Sequence, residues 1–290
     1  MSSRWTARRK RFRGIIAGSA CVHPASVHDP VSARIAEHLG YEVGMYAGST
    51  ASLTVLGAPD LIVLTLTEFA DQALRMSRAA ELPILVDADH GYGNALSVMR
   101  TVEELEAAGI AGMSIEDTTL PLAHAAAKAP AMLSIEEGVG KMKAALAGRR
   151  DPDLVIAGRS SAPALSSIED TIARARAYEA AGVDAMFLVG IKSREQLEAV
   201  SAAITIPIIL GTAPASMMDR GYLATQRVRV CLQGHLPFQA ALQAIYVTLK
   251  ALREGTAPAD IKGLPAPALV AMATRADDYE RLSREFLGGK

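Results

Sequence analysis

Pro83-Ile84-Leu85-Val86-Asp87-Ala88-Asp89-His90-Gly91-Tyr92-Gly93-Asn94 joins an apolar run of strand length to a cluster of acids and glycines. Ile84 to Val86 is apolar on both sides, the pattern that burial of a parallel strand on both faces produces. Asp87 and Asp89 follow where the strand leaves the core. Two residues apart on extended chain, they project to one side. Two carboxylates in a small space repel unless a proton or a cation lies between them. A hard divalent ion with oxygen ligands, Mg²⁺ first, is the candidate that this pair suggests.

The same unit, an apolar run followed by a helix-period segment, repeats on either side of this stretch. Strands are expected at Gly14–Gly18, Val43–Tyr46, Ile84–Val86, Ala111–Ile115, Leu154–Ala157, Ala185–Val189, Ile206–Leu210 and Val228–Leu232. The segment Thr118 to Ser134 lacks clear periodicity. Parallel strands need helical crossovers, and eight such units close a barrel. Ser49, Asp87, Asp89, Glu116, Arg159 and His235 fall at or just beyond the C-terminal ends of predicted strands, the face on which barrel enzymes build their sites. An open doubly wound sheet would gather its chemistry near one crevice instead. The reading is therefore an α/β (β/α) barrel of TIM type over residues 1–254, with a basic N-terminal helical arm. A C-terminal helical extension, 255–290, is expected to pack against another subunit.

Composition narrows the partners. Among 290 residues, 31 acids nearly cancel 30 bases, so no global charge calls for nucleic acid or a membrane surface. Cys21 and Cys231 are too few and too isolated for a disulfide framework or zinc site and read as reduced, partly buried thiols. Arg4, Arg8, Arg9, Lys10, Arg11 and Arg13 crowd the first thirteen residues, with Trp5 and Phe12 between them. No apolar core of a secretory signal follows. The arm reads as a basic helix lying on the body or a neighbouring subunit. No stretch is long and apolar enough to span a membrane, and the protein reads as cytoplasmic.

The polar residues at the predicted rim divide by chemistry. Asp87, Asp89 and Glu116 are three acids at the ends of adjacent strands. Mg²⁺ keeps several waters, so one carboxylate binding directly and the others holding waters would suit it. Asp117 reads as a helix cap, and Asp60 as either a cap or an outer partner of the metal. Arg159 follows a buried strand, where an unpaired cation is expensive. It must face an acid or a substrate carboxylate, which a guanidinium binds bidentately. Gly48 and Ser49 offer backbone N–H groups and a hydroxyl as a cradle for an anion. His235, after Gly234 at the mouth of the last strand, can donate a hydrogen bond or a proton. His90 reads as support for the loop behind the acids.

With these residues in place, the chain resembles the isocitrate lyase and phosphoenolpyruvate mutase superfamily. Tyr46-Ala47-Gly48-Ser49, Val86 to Asn94, Ser114-Ile115-Glu116-Asp117 and Ala157-Gly158-Arg159 carry the likeness. It implies the eight-stranded barrel with its last helix exchanged between subunits, in dimers that pair into tetramers. It also implies 2-oxo or 2-hydroxy acids chelated to Mg²⁺, with Mn²⁺ as a substitute, and an enolate-like species. Lyases of the superfamily carry Lys-Lys-Cys-Gly-His after strand four. Here that region reads Thr118-Thr119-Leu120-Pro121-Leu122-Ala123-His124, with no Cys and no Lys before Lys128. The sequence is similar instead to the oxaloacetate decarboxylase family, through Gly234-His235 and the Ser32–Ala36 and Gly91–Val102 blocks.

That likeness implies Mg²⁺-dependent decarboxylation of oxaloacetate to pyruvate and CO₂ through a metal-stabilised enolate. Asp87 would hold the metal directly, and Asp89 and Glu116 through water. Gly48, Ser49, Arg159 and His235 would bind the small 2-oxo dicarboxylate. A carbon–carbon lyase acting on a substituted malate or methylisocitrate-like substrate is the alternative within the superfamily. A non-catalytic 2-oxo acid binding protein is the alternative outside it. Thr212-Ala213-Pro214, Gln233 and Ser160-Ser161 depart from the decarboxylase pattern and bear on the choice of substrate.

Overall fold

A computed structural model describes residues 5–122, 124 and 131–288. Arg4, Ala123 and Lys128 lie outside the described residues. Eight parallel strands run in sequence order: β1 (Ala25–Ser26), β2 (Gly44–Ala47), β3 (Ile84–Asp87), β4 (Gly112–Glu116), β5 (Val155–Ser160), β6 (Ala185–Leu188), β7 (Ile208–Thr212) and β8 (Val228–Leu232). The sheet closes at Val22, whose N–H donates to Arg229 O at 2.9 Å and whose carbonyl accepts from Cys231 N at 3.0 Å, in a parallel bridge to Val230. Between the strands run α2 (Pro30–His38), α3 (Gly48–Ala51), α4 (Leu66–Ala79), α5 (Ala95–Ala107), α6 (Ile135–Gly148), α7 (Ala162–Leu165), α8 (Ile168–Ala181), α9 (Arg194–Ala203) and α10 (Arg220–Thr225). After β8 come α11 (Leu236–Arg253), α12 (Pro267–Thr274) and α13 (Ala276–Leu287). The expected α/β barrel and C-terminal helices are both present. None of the described helices is long and apolar enough to cross a membrane.

The first expected strand was misplaced. Gly14 to Ala17 ends a helix, α1 (Thr6–Ala17), and the first strand lies further on, where no strand was expected. Ile15 and Ile16 look like a strand core, but Arg8, Arg9, Phe12 and Ile16 turn inward together on a helix. Phe12 and Ile16 plug the N-terminal end of the barrel, packing with Val43, Leu85, Val155 and Ala185. Gly112 is required beneath that plug, because a Cβ there would sit 2.4 Å from the Phe12 ring. The basic arm lies on the body: Arg9 donates to Asp151 Oδ2 at 2.8 Å and to Ile110 O at 3.0 Å, and Arg13 to Asp184 Oδ1 at 3.0 Å.

Two cores follow from strand alternation. Leu85, Ala157, Phe187, Val230 and Leu232 fill the barrel, while Ile84, Val86, Ile156, Met186 and Leu188 meet the surrounding helices. Along the inward faces the chemistry changes abruptly toward the C-terminal end. Leu85 gives way to Asp87, Ala157 to Arg159, and Gly112 and Ser114 to Glu116.

α11 departs from the other long helices. None of its residues is buried, and Leu242, Ile245, Tyr246 and Leu249 are all more than half exposed. A cavity of about 570 Å³ lies beside it, lined by Ala25, Val31, Ile35, Ala36 and Leu39 among others.

Candidate active site

The register sets the site. Ala47 pairs with Asp87, Asp87 with Ser114, and Glu116 with Arg159, so the polar ends of β2 to β5 share one level. The Arg159 guanidinium bridges the acids: Nη1 donates to Asp87 Oδ2, and Nη2 lies 3.2 Å from Glu116 Oε2. It also lies 5.7 Å from the centre of the Phe187 ring, on the neighbouring strand. Its Nε has no hydrogen-bond partner among the described residues. Burial alone would weaken its hold on its proton, but the charges of Asp87, Glu116 and Asp89 outweigh this and raise its pKa.

Each acid has a distinct setting. Asp87 Oδ1 accepts from Ser114 Oγ at 3.2 Å and from Asp89 N at 3.3 Å. Glu116 Oε1 accepts from Thr118 Oγ1 at 2.5 Å. Burial raises the Glu116 pKa against the opposing pull of Arg159. Asp89 has a left-handed backbone, φ 48°, which turns the chain straight after β3. Burial and then the Asp87 charge raise its carboxyl well above the usual range. A Cβ on Gly48 would stand 2.2 Å from Asp89 Oδ2, so only glycine leaves room for this carboxylate.

A cavity of about 200 Å³ opens over these groups at the barrel mouth. Ser49, Asp60, Asp87, Asp89, Arg159, Gly234 and His235 line it with Phe187, Val189 and Thr212. The predicted rim residues are therefore brought together. Glu116 stands one layer back, bound to Arg159, and Gly48 backs Asp89. Gly48-Ser49 begins a helical turn, α3. His235 is the N-cap residue of α11, and its Nδ1 lies 2.8 Å from Ser26 Oγ. Burial lowers its pKa, against the charges of Asp87 and Asp60.

One acid was misread as a cap, and for another, Asp60, the cap was one of two readings. Asp117 caps no described helix. It is fully buried, and its Oδ2 accepts from Tyr178 OH at 2.7 Å, Ser160 Oγ at 3.0 Å and Arg174 Nη1 at 3.1 Å. Asp60 likewise caps no described helix, since Thr65 caps α4, and it reaches the cavity wall instead. His90 is buried and neutral, pushed down to about 4 by burial and then by Lys141, whose ammonium donates to the His90 carbonyl at 2.5 Å. That bond reaches the His90 backbone, while its ring Nδ1 has no hydrogen-bond partner among the described residues. Cys21 and Cys231 are free and buried.

Sequence reasoning missed Ser114, Thr118 and Ser26. Period-two alternation places Ser114 on the Glu116 side of β4 and could have found it. Thr118 also stands two residues from Glu116. Ser26 was hidden because the first strand was expected at Gly14–Gly18, ahead of its true place.

No three acids, histidines or cysteines among the described residues close around one point as a direct metal cage. Arg159 stands between Asp87 and Glu116.

Residues 12–253 match the family model of phosphoenolpyruvate phosphomutase. The chain is 60% identical to an oxaloacetate decarboxylase of Bradyrhizobium sp. strain BTAi1 over 97% of both chains. It is 56% identical to an oxaloacetate decarboxylase of Rhodopseudomonas palustris strain CGA009 over 99% of both. Among solved structures, oxaloacetate acetylhydrolase in complex with the inhibitor 3,3-difluorooxalacetate superposes with a TM-score of 0.86. Its sequence identity is 27%, and the match covers 98% of each chain.

Proposed function

The chain belongs to the phosphoenolpyruvate phosphomutase family, and on that premise we propose that it is a carboxy-lyase converting oxaloacetate to pyruvate and CO₂ with Mg²⁺. The observation that carries this reading is the Asp87–Arg159–Glu116 junction under a small cavity. It sets an oxygen donor set and a carboxylate-binding guanidinium at one barrel mouth. The oxaloacetate decarboxylase relatives give the substrate, and the difluorooxalacetate complex of the neighbour supports a binding site for a 2-oxo diacid in this fold.

The residues fit a hard divalent ion. All the donors are oxygens, and burial together with the neighbouring Asp87 charge makes the Asp89 carboxyl resist ionisation. Asp87 would hold the ion directly, with Asp89 and Glu116 holding its waters; Mn²⁺ could replace Mg²⁺. When bound, the ion supplies a Lewis acid for the negative charge that develops on the 2-oxo oxygen as the C3–C4 bond breaks.

The chain's own groups do the rest. The N-terminus of the turn beginning at Gly48, with the Ser49 hydroxyl, receives the C1 carboxylate. Arg159 exchanges an acid partner for a substrate carboxylate. Phe187 and Val189 form a dry wall where CO₂ departs. His235 hydrogen-bonds the substrate. We place the enzyme in the cytoplasm, as a metabolic enzyme of this kind.

A second copy of the chain completes this reading. α11 carries apolar side chains that its own barrel leaves uncovered, and the apolar cavity beside α2 is open. Exchange of α11 between two copies covers both, giving a homodimer or a homotetramer.

The test is a panel of 2-oxo and 2-hydroxy diacids assayed with Mg²⁺ and with EDTA. Pyruvate release from oxaloacetate well above the spontaneous rate, abolished by EDTA, is expected. Turnover indifferent to EDTA removes the metal, and binding of oxalate without turnover of any diacid leaves a binding protein.

A further inference from the structure

His235 can act on a substrate oxygen in two ways, as a donor or as a base, and its second ring nitrogen decides which. Ser26 Oγ lies 2.8 Å from His235 Nδ1. Ser26 is 8% exposed, on β1, shortly after the Val22 bridge that closes the sheet on β8. The two groups lie on opposite sides of the barrel mouth wall. His235 lines the catalytic cavity, whereas Ser26 lines the groove beside α11 and does not reach that cavity.

A serine hydroxyl has one hydrogen to donate and two lone pairs. Among the described residues, the Ser26 hydroxyl has His235 as its one hydrogen-bond partner. If Nδ1–H donated to Ser26 Oγ, the hydroxyl hydrogen would have no acceptor among the described residues, a costly state for a side chain so little exposed. If the hydroxyl donates to Nδ1, only lone pairs go unused. The second arrangement therefore prevails, and the ring proton then belongs on Nε2. An Nδ1 that accepts a hydrogen bond cannot belong to an imidazolium, which donates from both nitrogens.

We propose that Ser26 is a positioning residue that holds His235 as its Nε2–H tautomer, so that the ring offers a substrate oxygen a hydrogen bond and does not serve as a base. The inference rests on the 2-oxo diacid reading of the cavity. His235 hands over no proton in this role; its Nε2–H stabilises negative charge on the oxygen it faces. Two independent features agree. Burial disfavours the charged ring, though Asp87 and Asp60 oppose it. His235 also occupies the N-cap position of α11, without a side-chain capping bond, and the positive end of this 18-residue helix repels an imidazolium.

The test uses ¹⁵N-histidine-labelled full-length protein without substrate, with the His235 signals identified by their loss in His235→Gln. The wild type should show an unprotonated, hydrogen-bonded Nδ1 and a protonated Nε2. Ser26→Ala should shift these signals toward a mixture of tautomers, and Ser26→Thr, which keeps the hydroxyl, should restore the wild-type pattern. With oxaloacetate and Mg²⁺, Ser26→Ala should lower kcat about tenfold with little change in KM, and Ser26→Thr should recover most of it. A wild-type Nδ1–H signal, or a ring indifferent to Ser26→Ala, overturns the proposal. The wild-type spectrum alone can do so, even if Ser26→Ala does not fold. Because the spectra need no turnover, absence of decarboxylation would sink the activity and leave the tautomer still decided.

Discussion

Both ends of this barrel are built from arginine and carboxylate, and they do opposite things with them. At the N-terminal end, Arg8 pairs with Glu81, Arg9 with Asp151 and Arg13 with Asp184, over the Phe12 plug. Arg9 is 1% exposed, and it also donates to the carbonyls of Ile110 and Glu106. At the C-terminal end, Arg159 serves Asp87 and Glu116 together, its Nε is unpartnered among the described residues and a cavity stands open above it. The carboxyls register the difference. Burial would raise Asp151, but bonds from Arg9, Asp153 N–H and Thr6 hold it below its usual value. Asp89 is raised, by burial and by a neighbouring acid. One end has more donors than its acids need. The other has more negative charge than its donors satisfy, which is the condition for binding a cation and a substrate.

The hardest way to strain that contrast is to remove the acid at the centre of the open end. Asp87→Ala should reduce kcat/KM for decarboxylation about a thousandfold, because it removes the proposed direct ligand of the ion. The fold should survive, since Arg159 keeps Glu116. Steady-state kinetics beside a thermal melt would check both halves, and retained turnover would move the centre of the site elsewhere. The mirror change belongs to the closed end. Arg9→Ala should cost about 3 kcal/mol of stability, as loss of one partner of a buried pair does, and leave KM unchanged. Denaturant unfolding would measure the first, and a shifted KM would show that the two ends are coupled.

These two ends were also unequally legible in the sequence. The open end announced itself, because an acid at the end of an apolar strand has no packing reason to be there. Asp87, Asp89, Glu116, Arg159 and His235 could all be read at the rim. The closed end could not be read this way. Ile15 and Ile16 are β-branched residues between glycines and satisfy a strand pattern, and only the tertiary partners of Arg8, Arg9 and Phe12 make the segment helical. That error displaced β1 and so hid Ser26. Asp117 was obscured for a related reason. Its hydrogen-bond partners Ser160, Arg174 and Tyr178 lie between 43 and 61 residues away, beyond any local pattern.

The smallest effect is the most discriminating, because the two ends should titrate in opposite senses. The native Asp89 carboxyl keeps its proton to a higher pH than the unfolded chain, whose aspartates titrate near 3.8. Over that window the native state binds more protons, so stability falls as pH rises, and the penalty persists at neutrality. Asp151 is the reverse: its native value lies below 3.8, so its contribution is present above that pH and lost only as pH falls through the native value. In protein free of divalent ions, Asp89→Asn should therefore raise Tm by about 3 °C at pH 7, with the gain shrinking toward pH 4. Asp151→Asn should lower Tm at pH 7 by a similar amount, with the deficit closing only below pH 4. Calorimetry across pH 3–8 separates the two. Added Mg²⁺ sharpens the contrast: it should stabilise the wild type more than Asp89→Asn, since Asp89 is costly only while no cation is present. If Asp89→Asn were destabilising in the ion-free protein, the open end would be as self-satisfied as the closed one, and the physical case for a cation there would fail.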